Sequence, residues 1–228
     1  MFVVLDDADV DDAALAATIG RLGNSGQGCT SAKRFIVQES VAEGFVEAVT
    51  HRFAQAQPGD PLDPTTTLAP LVSRQARDRL RTQVDEAISH GARVLYGNEP
   101  IDHPGNFLQP TLLGDISREN PAHAQEFFGP VAQLYVAADD DQIVRVANDS
   151  PYGLGGAIFS QDVERATRLA RRIDSGMLFI NKMFGSVPEL PFGGIKRSGF
   201  GRELGDLGVR EFANAKLVMI SESGPTFG

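Results

Sequence analysis

The chain has 228 residues, 42% hydrophobic and 22% charged, enough for a sizeable core in one large or two small domains. Its net charge of −9 argues against nucleic acid or an anionic membrane surface as partner, because both draw affinity from clustered Lys and Arg. One cysteine cannot form an internal disulfide, and four dispersed histidines show no ligand spacing, so no metal is expected and a reduced cytoplasmic setting is.

The start, MFVVLDDADVDD, lacks the basic and apolar regions of a secretory leader, and no run approaches the ~18 apolar residues that would span a bilayer. Phe2 to Leu5 reads as a strand, whose neighbours lie either in this domain or in sequence outside the chain. A helix is expected from Asp11-Asp12 up to the glycine-rich loop before Cys29. After the strand Phe35-Ile36-Val37, Ser40 and Glu43 have capping-box spacing, and Val41, Phe45, Val49 and Phe53 recur every four residues as the buried face of a helix. Gln57 to Pro64 and Glu99 to Gly105 read as surface turns. Between them, Ala76, Leu80, Val84 and Ile88 mark a helix over Ser73 to His90, which Gly91 ends before the strand Arg93-Val94-Leu95-Tyr96. Ala157-Ile158-Phe159 then leads into a helix carrying Val163, Ala166, Ala170 and Ile173, and Gly176 precedes the strand Met177-Leu178-Phe179-Ile180. Alternating strands and helices predict one α/β domain over residues 1–228, a mostly parallel twisted sheet flanked by helices with right-handed crossovers.

Cys29 follows Asn24-Ser25-Gly26-Gln27-Gly28, a loop that permits close backbone approach and leaves the sulfur accessible. A free cysteine is equally at home as a small buried hydrophobe, and both readings stay open at this point. No histidine is near it in sequence, and His51, His90, His103 and His123 are expected at the surface. The glycines of Pro191 to Glu203 miss dinucleotide-binding spacing and favour a structural turn over a phosphate cradle. Gly153-Leu154-Gly155-Gly156 is explained by tight backbone packing, and Glu126, at a turn before a strand, by a solvated charge.

Together, four segments resemble the aldehyde dehydrogenase superfamily in order and spacing. They are Asn24 to Cys29 through Lys33-Arg34, then Glu126-Phe127-Phe128-Gly129-Pro130-Val131, then Asn148 to Leu154, and Pro191 to Lys196 with Ser198-Gly199 and Gly201-Arg202-Glu203. Thr30 to Val37 and Arg210-Glu211-Phe212 are similar to the succinate-semialdehyde dehydrogenase group. The resemblance implies NAD(P)-dependent oxidation of an aldehyde, with succinate semialdehyde as a candidate. Cys29 would attack the aldehyde carbon, hydride would pass to NAD or NADP, and water would release the acid from the thioester. It further implies that Glu126 holds the nicotinamide ribose and Phe128 packs near the nicotinamide.

The general-base glutamate, the oxyanion asparagine and the dinucleotide-binding domain are expected upstream of Phe2, so the cofactor domain is absent and activity of the 228 residues alone is doubtful. Gly23 stands where typical succinate-semialdehyde enzymes place an arginine, and Ser186 falls in a loop that often contributes to substrate binding. Family members use a C-terminal strand in oligomer contacts, which places a candidate oligomerisation strand in 214–228, at Lys216 to Ile220, and predicts a homo-oligomer. Two other readings remain: a non-catalytic interaction fragment, and a cofactor-independent thiol esterase whose base the sequence does not name.

Overall fold

The computed structural model describes residues 1–183 and 185–220. In chain order the elements begin with β1 (Phe2–Val4), α1 (Val10–Leu22), β2 (Arg34–Gln38), α2 (Glu39–Ala54), α3 (Arg74–Ser89) and β3 (Arg93–Tyr96). They continue with β4 (Thr111–Gly114), β5 (Val131–Ala137), α4 (Asp140–Asn148), β6 (Tyr152–Gly153), β7 (Gly155–Phe159) and α5 (Val163–Ala170). β8 (Met177–Ile180), β9 (Ile195–Lys196) and α6 (Gly205–Glu211) complete the set. Seven strands form one sheet in the order β3-β4-β5-β2-β1-β7-β8, parallel throughout except for β3, which runs antiparallel to β4 at the edge.

The first strand lies inside the sheet: Phe2 pairs with Phe35 on one side and Ala157 on the other. Its neighbours are therefore in this domain. Because successive side chains of a strand point to opposite faces, β1 feeds two cores. Val3, with Ile36 and Ile158, packs against Leu80 and Val84 of α3, Ile143 of α4 and Leu169 of α5. Phe2 and Val4, with Phe35 and Phe159, pack against Ala13 and Ala17 of α1 and Phe45 and Val49 of α2. Phe2 stacks on Phe159 at 4.8 Å between ring centres and meets Phe35 edge-on at 5.8 Å. Each such buried phenylalanine contributes roughly 1.5–3 kcal/mol.

Three local expectations are adjusted. α1 starts at Val10, with Asp9 as its cap accepting from the Asp12 N–H, slightly earlier than the Asp11-Asp12 pair suggests. Ser40 is not a cap: α2 begins at Glu39, and Gln38 precedes it without a side-chain capping bond. β2 runs straight into α2, and the Gln38 Oε1 instead accepts from the Asp6 N–H and from Arg165. Ser73 caps α3, accepting from the Ala76 N–H, and Gly91, at φ +95°, follows its end as expected. In the glycine-rich stretch, Phe192 and Glu203 bridge their backbones to close a turn, and β9 pairs with β6 outside it. Residues 214–220 are exposed and carry no strand, while 221–228 of the candidate oligomerisation segment lie outside the described residues.

Candidate functional site

Loops at the amino ends of the parallel strands build the site. α1 ends at Leu22, and Asn24, Ser25 and Gly26 then occupy the left-handed region consecutively, at φ 50°, 53° and 73°. A non-glycine residue there costs about 1 kcal/mol or more, so the turn persists because its surroundings fix it. The Ser25 hydroxyl donates to the Ala69 carbonyl at 2.6 Å, and the Gln27 Oε1 accepts from the Val72 N–H at 2.9 Å. At Gly26, a Cβ would fall 2.2 Å from the Gly129 carbonyl oxygen. Only glycine lets the thiol loop rest on the Gly129 carbonyl, and this contact joins two segments about a hundred residues apart.

Cys29 is exposed at the end of this loop and lines a cavity of about 360 Å³ together with Lys33, Arg34, His123 and Glu126. The Lys33 ammonium ties the wall together: it pairs with the Glu126 carboxylate at 2.8 Å and donates to the Cys29 carbonyl at 3.3 Å and the Ser31 carbonyl at 3.4 Å. Burial lowers the Lys33 pKa, and the nearby Arg21 charge lowers it further against the opposing pull of Glu126. Arg21 is fully buried, donates to the Gly26 and Val131 carbonyls, and is pushed down to about 9 by burial, with Glu126 again opposing. The loop that presents the thiol is thus held from beneath by Arg21 and from the side by Lys33.

Of the three site residues expected from sequence, Cys29 and Glu126 line the same cavity, linked through Lys33. Phe128 does not line it; the residue is 47% exposed, while the adjacent Phe127 is buried. A ribose hydroxyl would suit Glu126, a half-exposed carboxylate with acceptor capacity, and a flat ring would suit exposed Phe128. One expectation is corrected: His123 is not a surface residue. Its side chain is only 12% exposed, Nε2 lies 3.2 Å from Asp149 Oδ2, and the ring meets Tyr135 edge-on. Among the described residues no group of three or more His, Cys, Asp or Glu is placed to hold a metal ion.

Sequence reasoning passed over Arg21 and assigned no role to Lys33 or Arg34. A signal for the first existed, since Ala13, Ala17 and Arg21 recur every four residues and place a guanidinium on the buried stripe of α1. For Arg34 the signal was a charge heading a strand that is otherwise buried and apolar.

Comparison with known proteins accords with this geometry. The chain is 50% identical over 217 residues to succinate-semialdehyde dehydrogenase [NADP(+)] of Deinococcus radiodurans, covering 95% of this chain and 46% of that protein. It superposes on succinic semialdehyde dehydrogenase from Streptococcus pyogenes, solved in complex with NADP+, with a TM-score of 0.93 and 49% identity over 96% of this chain and 48% of that one. Betaine aldehyde dehydrogenase from Staphylococcus aureus, solved with NAD+, gives 0.89 and 32% identity over 92% and 42% of the two chains. The chain spans about half the length of the relatives it matches. With the family pattern described as "Aldehyde dehydrogenase family" matching residues 1–218, and with Cys29 and Glu126 brought to one cavity, the chain belongs to the aldehyde dehydrogenase family.

Proposed function

We propose that this chain supplies the thiol half of an enzyme that oxidises a small aldehyde to its acid, with Cys29 as nucleophile and NAD or NADP as hydride acceptor. The observation that carries it is the exposed thiol on a backbone turn fixed by Gly26, sharing a cavity with Glu126. Such fixing holds the sulfur where a bound carbonyl carbon can be attacked, and orientation of this kind is a large part of catalysis. Glu126 accepts ribose hydroxyls of the cofactor, and Phe128 packs near its nicotinamide. Succinate semialdehyde is the substrate and NADP the acceptor, as the names of the similar proteins suggest. A reduced, cytoplasmic setting keeps the single thiol free; among the described residues no helix is long and apolar enough to cross a membrane.

The test is aldehyde oxidation followed by absorbance of the reduced cofactor. Residues 1–228 alone are expected to give background, and a fusion placing them in the corresponding part of the Deinococcus relative is expected to oxidise succinate semialdehyde. Full activity of the Cys29→Ala fusion would overturn the assignment. A second reading, acyl transfer without cofactor, is favoured by His123, which lines the same cavity as Cys29, pairs through Nε2 with Asp149 Oδ2 at 3.2 Å and offers a base. Hydrolysis of p-nitrophenyl acetate that depends on both Cys29 and His123 is its expected mark. Self-association is supported by Leu217, Val218, Met219 and Ile220, all at least 71% exposed, and a monomer in sedimentation would count against it.

A further inference from the structure

Lys33 has more partners than its ammonium can serve. Its side chain is 17% exposed, and Nζ lies within reach of the Gly28, Cys29 and Ser31 carbonyls at 3.5, 3.3 and 3.4 Å and of the Glu126 carboxylate at 2.8 Å. An ammonium has three protons, so these four acceptors share it, and the short contact to Glu126 is the strongest. Of the four, Glu126 alone carries a charge. Glu126 also supports the cation of the fully buried Arg21, so one carboxylate serves two cations and leaves each incompletely compensated. What remains of the Lys33 charge faces the thiol turn, whose carbonyls it holds. It reaches the sulfur as well: a charge on Cys29 favours the Lys33 ammonium, and an attraction between two charges acts on both.

We propose that Lys33 is a positioning residue for the thiol, dividing its charge between Glu126 and Cys29, so that the carboxylate acts on the sulfur through this one lysine. The attacking species of a cysteine is the thiolate, which a nearby cation favours. The inference rests on the proposed role of Cys29 as nucleophile for its meaning in turnover. Its test uses neither aldehyde nor cofactor, so its failure and the failure of that role are separate results.

The 228-residue protein is alkylated at Cys29 at neutral pH with iodoacetamide, a reagent without charge that Lys33 does not attract, and the rate is followed by mass spectrometry. Lys33→Met should slow alkylation about fivefold, while Lys33→Arg, which keeps the cation, should stay within about twofold of the unaltered chain. Glu126→Gln frees the ammonium from its carboxylate and should speed alkylation about threefold, a gain that should vanish when Lys33→Met is also present. If circular dichroism shows that Lys33→Met does not fold, Glu126→Gln decides: a faster rate supports the proposal and an unchanged one overturns it. An unchanged rate in folded Lys33→Met, equal slowing by Lys33→Arg, or the same gain from Glu126→Gln with and without Lys33 also overturns it.

Discussion

The two ends of the parallel strands are built on opposite terms. At the carboxyl ends, Asp7 accepts from the Ser160 hydroxyl at 2.8 Å and from the Asp162 N–H at 2.7 Å, and Asn181 exchanges hydrogen bonds with the Ser160 backbone. Arg165 there joins Asp140, Asp6 and Gln38. At the amino ends, by contrast, Arg21 Nε, Arg34 Nε, His123 Nδ1 and Gln125 Oε1 are buried with no hydrogen-bond partner among the described residues. Open parallel sheets ordinarily bind ligands beyond their carboxyl ends. Here the connections reverse that habit: β2 passes directly into α2 and β7 reaches α5 within three residues, while long loops precede β2 and β5. Room for a site exists where loops are long, and groups left without partners gather there. A polar network complete in itself is a structural tie; an incomplete one is a place for chemistry.

Variants at both ends sharpen the contrast. The largest effect is expected for Cys29→Ala in the active fusion, where turnover should fall about ten-thousand-fold or more with the melting temperature unchanged. Gly26→Ala places a side chain at φ +73° against the Gly129 carbonyl and should cost about 3 kcal/mol in urea unfolding. At the opposite end, Arg165→Met leaves Asp6 and Asp140 without their cation and should cost about 2 kcal/mol, with no effect on the rate of Cys29 alkylation.

Asp7→Asn is a smaller and more diagnostic change. Burial raises the Asp7 pKa, yet the Asp162 N–H and the Ser160 hydroxyl outweigh it and hold it below the usual 3.8. A depressed carboxylate contributes stability that is present above its unfolded value and is lost as pH falls through the lower folded value. The Asn variant should therefore be about 1 kcal/mol less stable at neutral pH, with the gap closing below pH 3.8. A constant gap down to pH 2 would break this account. Smallest of all, Arg197→Gln should alter stability by less than about 0.5 kcal/mol, because that side chain is exposed.

Much of this arrangement was legible in the sequence. The four-residue recurrences of Val41, Phe45, Val49 and Phe53 and of Ala76, Leu80, Val84 and Ile88 located α2 and α3, because burial of one helix face leaves a period in the chain. β4 and α4 escaped notice; α4 buries just Ile143, Val144 and Ala147. Cys29 and Glu126 were each visible as motifs, but neither spacing nor periodicity could place them in one cavity. That depends on β2 and β5 being sheet neighbours and on the Gly26–Gly129 contact, which are tertiary facts. His123 was misread for the same reason, since its burial comes from Tyr135 and Asp149, remote in the chain.

The position of β1 also sets the order of events in folding. It lies between β2 and β7, and the contact of Met1 with Gly155 closes a loop of 154 residues. At ribosomal rates of roughly 5–20 residues per second, an emerging Phe2-Val3-Val4 segment waits on the order of ten seconds for its second neighbour. Through that interval an apolar strand has one unpaired edge, so the yield of folded protein should depend on how long that edge is shielded during synthesis.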